Sequence, residues 1–573
     1  MAWNRVIVVL FLAGLLFAGG IACDDDGGSG HREPSTNNVA GTVVNPDNWG
    51  PPIGVPMPGF GIRETVENVY GSRDFYTHYV DNTDPAATDD DNPRGTEQTP
   101  RLTIPGDVPA GSVVFITGGP YINDNTLYLR ASGTAQEPIF LRGDPEAMPV
   151  VNRALSIRGA YIIVEFLDFD YDNGTKNVSI RPETSPDAAE VHHVAIRGCE
   201  HHNYNSDFGA TGNSSMIGVS NPNNSNDVYV HDIVIWANYI HDNGDATLAE
   251  RDIHGVGIGA NVQDLWMVDN HLHNNSGDSV QIAYYNVPPV NISNRIYIAR
   301  NHMHEDQENA VDLKGCRDVI ISQNRIWGYS GLSRGVAVGY GTGIVIHEAD
   351  EHAENVLVLY NEISDCTSTG ITVSHSTTEI FLVGNLIHDN RFEGTDEHSP
   401  TSPWYPGAGI LIRNEGTAYV LGNLVTATHH GIVSVVSQPT DFRVQNNIVT
   451  DLNAEESGVH LFIENAEVAQ NSLLDHNLYF QGTLPISVRL GTSNPLSSVE
   501  ELPSYAHSCS EEDPLLTDSA GGDYRPAPMS PAVDTGVDLA GFIEDAFGIT
   551  LDLDYNGSQR PQGETWDLGP WEQ

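Results

Sequence analysis

A seven-residue frame that recurs through the middle of the chain restricts the fold more than any other feature. Apolar residues fill its second and fourth places and asparagine its seventh. It reads Asp232-Ile233-Val234-Ile235-Trp236-Ala237-Asn238, then Asp264 to Asn270, Arg295 to Asn301, Asp318 to Asn324, Asn355 to Asn361, Glu379 to Asn385, Thr417 to Asn423, Asp441 to Asn447 and Asn465 to Asn471, with Cys199 in the asparagine place of an earlier copy. Successive seventh places lie 23 to 39 residues apart. A fixed floor with variable excess is what stacked coils of one minimum circumference give when insertions collect at a corner. The period-two alternation makes each frame a strand with one buried face. Stacking sets each strand beside its own repeat, about 4.8 Å away, so the ladders are parallel. Asparagine can donate and accept at once, so a column of them at one corner satisfies itself. These asparagines, and the histidines that follow them in Asn270-His271-Leu272-His273 and Asn301-His302-Met303-His304, are therefore read as structural.

Composition agrees. Glycine (56) and proline (33) each outnumber Lys+Arg (26), which favours short strands and turns over helices. The net charge of −51 excludes DNA, RNA and anionic lipid as direct partners, because phosphate attraction would be reversed. Cys199, Cys316, Cys366 and Cys509 show no zinc spacing.

A second strand precedes each frame, with a small residue and then alternating aliphatics: Gly255 to Gly259, Ser279 to Ala283, Ala310 to Lys314, Gly343 to His347, Gly370 to Ser374 and Gly409 to Arg413. The aliphatics face inward, so two columns face outward. One is Gly257, Gln281, Asp312, Val345, Thr372, Leu411; the other is Gly259, Ala283, Lys314, His347, Ser374, Arg413. Lys314 is thus expected directly beside His347, with Asp312 on the same face and small residues below leaving room for a polymer. The long insertions, His241 to Asp252, Gly328 to Gly341 and His388 to Gly407, fall where a cleft needs walls, and Trp404 and Tyr405 in the last can stack on sugar rings.

On these repeats the chain resembles the pectate-lyase-like superfamily of right-handed parallel β-helix proteins over roughly Pro138 to Gln481. The resemblance implies an all-β solenoid of ten or more coils and a cleft along the second strand. Applied to this sequence, it implies a Ca²⁺-dependent lyase, or a related epimerase, working by β-elimination on a uronate glycan. Lys314 is then the base, His347 its neighbour, Arg334 or Arg413 the cation, and Asp278, Glu308 and Asp312 the Ca²⁺ ligands; Gln281, Arg413, Trp404 and Tyr405 contact the glycan. Two other classes stand beside it: a glycoside hydrolase pairing Asp278 with Asp312, and a non-catalytic glycan-binding surface protein.

At the N-terminus, Arg5 precedes an apolar run from Val6 to Phe17 that is too short to span a membrane and reads as a signal peptide. Gly20-Ile21-Ala22-Cys23 resembles a bacterial lipoprotein cleavage box, which implies acylation of Cys23 and an extracytoplasmic, membrane-anchored monomer. The expected organisation is a signal peptide over 1–22, a flexible tether over 23–72, a cap and first strands over 73–137, the β-helix over 138–490 and a closing segment over 491–573. Ser530-Pro531-Ala532-Val533-Asp534-Thr535-Gly536 and the residues after it resemble the closing segment of many secreted β-helix proteins.

Overall fold

A computed structural model describes residues 46–573 apart from 72–74, 172–175, 186–187, 205–213, 222–228, 246–251, 284–291, 331–340, 349–351, 376, 393–405, 415–417, 437–441, 454–457 and 492–493. Three long parallel sheets of 15, 13 and 11 strands wrap one continuous core. The seven-residue frames form the first sheet, the strands ahead of them the second, and the three residues after each frame's asparagine the third. Val and Ile dominate the inward positions, such as Ile235, Met267, Ile298 and Ile321, all fully buried.

Each corner has a backbone cause. The residue before the ladder position is left-handed in coil after coil: Ala237, Asp269, Arg300, Gln323 and Tyr360 have φ between 51° and 56°. One such residue turns the chain from the first sheet into the third without a loop. The asparagine then secures the turn. Asn270 Nδ2 donates to Asn301 Oδ1 at 2.9 Å and to Ile235 O at 2.9 Å, while Asn301 Oδ1 also accepts the Asn270 backbone N–H. The column runs unbroken from Asn238 to Asn447, and Cys199 joins it through its N–H to Asn238 Oδ1.

The frame assigned to Asn465–Asn471 is corrected. Ala466–Asn471 is a helix, capped by Asn465, whose side chain accepts from the N–H groups of Glu467 and Val468. The ladder passes from Asn447 to Asn477 instead. Ala466-Glu467-Val468-Ala469-Gln470 combines helix formers with an N-cap asparagine, and this local preference overrides the apolar spacing.

Parallel strands of the first sheet begin at His78–Asp81 and Val113–Thr117, inside the stretch expected to hold the cap and first strands, and Ala506–His507 continues the sheet past 490. The expected tether is not free over its C-terminal part. Trp49, Val55, Phe60, Ile62 and Val66 are buried on the outer face of the first sheet, against Ala195, Val234, Trp236 and Trp266. The apolar outward residues of that sheet would otherwise be exposed, and the strap removes them from water. Arg197 fastens it, donating to Gly61 O at 2.7 Å and Glu64 O at 2.8 Å while paired with buried Glu165.

Candidate functional site

The terminal segments cover the outer faces of the first and third sheets: residues 46–70 and 537–566 pack on the first, and Tyr524, Ala532, Leu568 and Trp571 on part of the third. The second sheet's outer face carries the columns read from sequence, in the expected register: Gln281 beside Asp312, Asp312 beside Val345, Lys314 beside His347 and Ser374 beside Arg413.

Three of the predicted residues converge. Lys314 Nζ lies 2.5 Å from Asp312 Oδ2, and His347 Nε2 lies 2.7 Å from Asp312 Oδ1. Asp312 is 5% exposed, whereas the Lys314 and His347 side chains keep 15% and 22% of their surface in contact with solvent. Burial alone would raise the Asp312 carboxyl, but the His347 hydrogen bond and the Lys314 charge reverse this and hold it below the usual carboxylate range. An ionised carboxylate only accepts, so His347 Nε2 carries hydrogen, and a neutral ring then has its lone pair on Nδ1.

The proposed calcium ligands do not form one set. Asp278 is a rung in a polar ladder absent from the sequence reading. Its N–H donates to His254 Nδ1 at 2.9 Å, and its Oδ1 accepts from Asn309 N and Nδ2 at 3.1 and 3.0 Å. Asn309 Oδ1 accepts from Thr342 N, and Thr369 Oγ1 donates to Thr342 Oγ1. The signal for this ladder is one polar residue directly ahead of the second strand in five successive coils: His254, Asp278, Asn309, Thr342, Thr369. Asp278 Oδ2 takes the remaining bond, from Gln281 Nε2 at 3.0 Å, so the Gln281 amide faces Asp278 rather than the open surface.

Glu308 is buried and groups with His254 and Asp278, while Asp312 lies outside that group. Ca²⁺ takes six to eight oxygens. A buried imidazole, an Asp278 already engaged in the ladder and an Asp312 held by Lys314 and His347 fit such a shell poorly.

A further ladder stands five residues after the asparagine one. Asn243 Nδ2 donates to Asn275 Oδ1 at 2.8 Å, and Asn275 Nδ2 to Asp306 Oδ1 at 3.0 Å. Asp306 therefore faces the interior, where burial pushes its carboxyl up to about 8.

Below Lys314, two coils away, a Cβ at Gly257 would meet the Ser215 side chain, and one at Gly259 that of Ser220. Arg413 stands on the same column as His347, two coils on, about 10 Å away at the strand spacing. Cys23, Arg334, Trp404 and Tyr405 lie outside the described residues. Cys199, Cys316 and Cys366 are free thiols in the core, and Cys509 is free and partly exposed.

No curated protein matches the chain. Among solved structures it is similar to the A-module of a mannuronan C-5 epimerase from Azotobacter vinelandii, at 13% identity over 70% of this chain and 91% of that one, with a TM-score of 0.43. It is similar to a mannuronic acid-specific polysaccharide family 6 lyase from human gut microbiota, at 14% identity over 73% and 89%, TM-score 0.43. A lacto-N-biosidase from Eubacterium ramulus matches at 13% identity over 76% and 67%, TM-score 0.40. The profile of the right-handed β-helix region matches residues 173–423 and 336–483, together more than half of the chain. With its parallel three-sheet coils in view, the chain belongs to the right-handed β-helix family.

Proposed function

We propose that this is a polysaccharide-active protein that works on the outer face of the second sheet, with Asp312, Lys314 and His347 as its chemical centre. The carrying observation is the buried, ionised Asp312 held between the Lys314 ammonium and the His347 imidazole. A straight parallel sheet face suits an extended polymer, since side chains repeat along it at one strand spacing.

For β-elimination on a uronate, this arrangement supports roles that differ from those expected from the sequence. A lysine pressed against an ionised carboxylate keeps its proton, so His347 is the better acceptor. His347 Nδ1 takes the proton next to the uronate carboxylate, and Asp312 steadies the imidazolium through Nε2. The Lys314 ammonium stabilises the negative charge that develops on the substrate. The C–O bond to the leaving sugar then breaks, its electron pair leaves with the oxygen, and Lys314 or water protonates that oxygen. No step uses an ion. Calcium dependence is a separate proposal, tested by running the same assay with and without chelator. The paired-carboxylate hydrolase is less well supported, because both Asp278 oxygens are engaged, Oδ1 by Asn309 in the ladder and Oδ2 by Gln281.

The test is a panel of acidic and neutral polysaccharides monitored for unsaturated, ultraviolet-absorbing product. His347→Ala and Lys314→Ala are each expected to lower turnover about 10²–10⁴-fold. Turnover of a substrate that survives both changes removes the centre, and binding without turnover favours the glycan-binding alternative. The lipid anchor is also proposed: Cys23→Ser is expected to release to the soluble fraction a protein that otherwise sediments with membranes.

A further inference from the structure

The outer face of the third sheet, away from the centre above, carries a column of imidazoles that the sequence reading treated as structural. His271–His273 pairs with His302–His304 in parallel, His271 beside His302 and His273 beside His304. Strand alternation sends Leu272 and Met303 into the core and the histidines outward. One ring nitrogen from each of His271, His273 and His304 lies within 4.8 Å of the others.

We propose that His271, His273 and His304 form a transition-metal site that takes one ion of the Zn²⁺ class through imidazole nitrogens.

Three observations support this. His271 Nε2 and His304 Nε2 face each other at 2.8 Å, a contact that needs a hydrogen from one ring and in which a cation would use lone pairs from both. Tetrahedral zinc with bonds of 2.0–2.1 Å separates its nitrogens by about 3.4 Å, so the pair has to open by roughly half an ångström. Secondly, His304 is held for ligation. Glu305 Oε2 accepts from His304 Nδ1 at 2.8 Å, which leaves Nε2 with the lone pair, the carboxylate–histidine arrangement common behind metal ligands. The His304 ring stacks between Trp327, 4.3 Å away at 9°, and His273, 4.8 Å away at 11°; a ring nitrogen binds an ion in its own plane, so the His273 ring has to swing out of this stack to meet an ion shared by His271 and His304.

Thirdly, His273 has a buried Nδ1 without a hydrogen-bond partner, while its Nε2 contacts the Tyr239 hydroxyl at 2.7 Å. That hydroxyl or a water can complete the shell.

The other histidine groups differ. His241 already holds Glu200 and Asp242 through its two nitrogens, and His231 holds Asp232 and Glu190. A nitrogen set selects Zn²⁺, Co²⁺, Ni²⁺ or Cu²⁺ over Ca²⁺ and Mg²⁺.

The test uses the full chain without a histidine tag, stripped of metal and titrated with Zn²⁺ by equilibrium dialysis and with Co²⁺ by visible absorption. The wild type is expected to bind one more tight Zn²⁺ per chain than His271→Ala/His304→Ala, to gain several degrees in Tm with Zn²⁺ where the double variant does not, and to show Co²⁺ bands unchanged by excess Ca²⁺. Equal stoichiometry and equal Co²⁺ spectra in the two proteins overturn the site, as does the absence of Zn²⁺ binding by the wild type at 100 µM, on the order of the weakest affinity such a site should have. If the double variant does not fold, Glu305→Gln decides. It leaves all three imidazoles in place and is expected to weaken Zn²⁺ about 10–100-fold; unchanged affinity there counts against the proposal.

Discussion

The outer face of the third sheet is built twice on the same coils, once for solvent and once for a roof. Along its first outward column the early coils carry Tyr239, His271, His302 and Arg325, and the later ones Leu386, Leu424, Ile448 and Leu478. The leucines and isoleucine are buried under Tyr524, Ala532, Leu568 and Trp571 of the C-terminal segment. Behind both halves the asparagine ladder and the apolar core continue without change. The interior fixes the coil, and the outward positions decide what each stretch of it meets.

The largest effect expected from breaking this difference is loss of the roof. Arg560 and Glu572 form a buried ion pair at 2.5 Å, and Glu572 also accepts the N–H groups of Gln562 and Asp567. Removing one partner leaves the other charge buried and unpaired, so Glu572→Ala should cost about 3–5 kcal/mol. Hydrogen exchange should rise in strands Leu386–His388 through Leu478–Phe480 and stay unchanged in His271–His273 and His302–His304. Uniform loosening along the solenoid would mean that the roof is not local.

A ladder change should act without regard to the half in which it lies. Asn301 and Asn423 each donate to a main-chain carbonyl and to the next asparagine, with nearly equal lengths. Asn301→Ala and Asn423→Ala each strand several buried groups, at about 1–3 kcal/mol apiece. Chemical denaturation should give losses that agree within about 1 kcal/mol.

Much of this architecture was legible from residues. The frame's alternation gave the first sheet, and counting along the second strand placed Lys314 beside His347. What escaped was set by neighbours distant in sequence. Asp278 looked like a free carboxylate because its donors, Asn309 and Gln281, act across coils or along the strand face. Asn477 has the same left-handed residue before it as its ladder partners, His476 at φ 51°, yet the apolar spacing of 465–471 points to Asn471 instead. The strap from Trp49 to Val66 carries no repeat, and its place follows only from the apolar outer face of the first sheet. The imidazole group at His271, His273 and His304 was visible as residues but not as a convergence, because that depends on register across coils.

Acid should separate the halves by a smaller amount. In the histidine half His201 is fully buried against Phe169, and burial pushes it down to about 3. An unfolded histidine protonates near 6.5, so below that pH the unfolded state binds the extra proton and stability falls until about 3. In the roofed half, burial would raise Glu362, but the His388 hydrogen bond and Arg325 hold it at about 2. Its contribution is present above the ordinary glutamate value and is lost only as pH falls toward 2. His388 is raised, so its contribution is complete below 6.5 and fades as pH rises through its folded value. Going from pH 7 to pH 5, strands Glu200–His202 and Tyr239–His241 should therefore lose protection before Leu386–His388 and Leu424–Thr426, after correction for intrinsic exchange. The reverse order would contradict the assignment.

The smallest effect lies at the ladder's N-terminal end. Cys199 stands where later coils carry asparagine. Its N–H donates to Asn238 Oδ1 at 3.1 Å, and its Sγ faces Val164 O at 3.9 Å and Arg197 O at 3.4 Å. Asn238, one coil on, sends its amide to the corresponding carbonyl of Ile196 at 3.0 Å. An asparagine at 199 would find the same partners: Val164 O and Asn238 Oδ1 for its amide, and the Leu167 N–H, already close to the thiol, for its carbonyl. Gly198 before it has φ 58°, so the turn is already in the ladder conformation. Cys199→Asn should thus be neutral or stabilising by up to about 1 kcal/mol, the net value of one added hydrogen bond, whereas Cys199→Ala should destabilise through the cavity it leaves. A Cys199→Asn loss as large as that of Cys199→Ala would show that the ladder needs a neighbour on both sides to accept an amide, and that its first rung is set by packing.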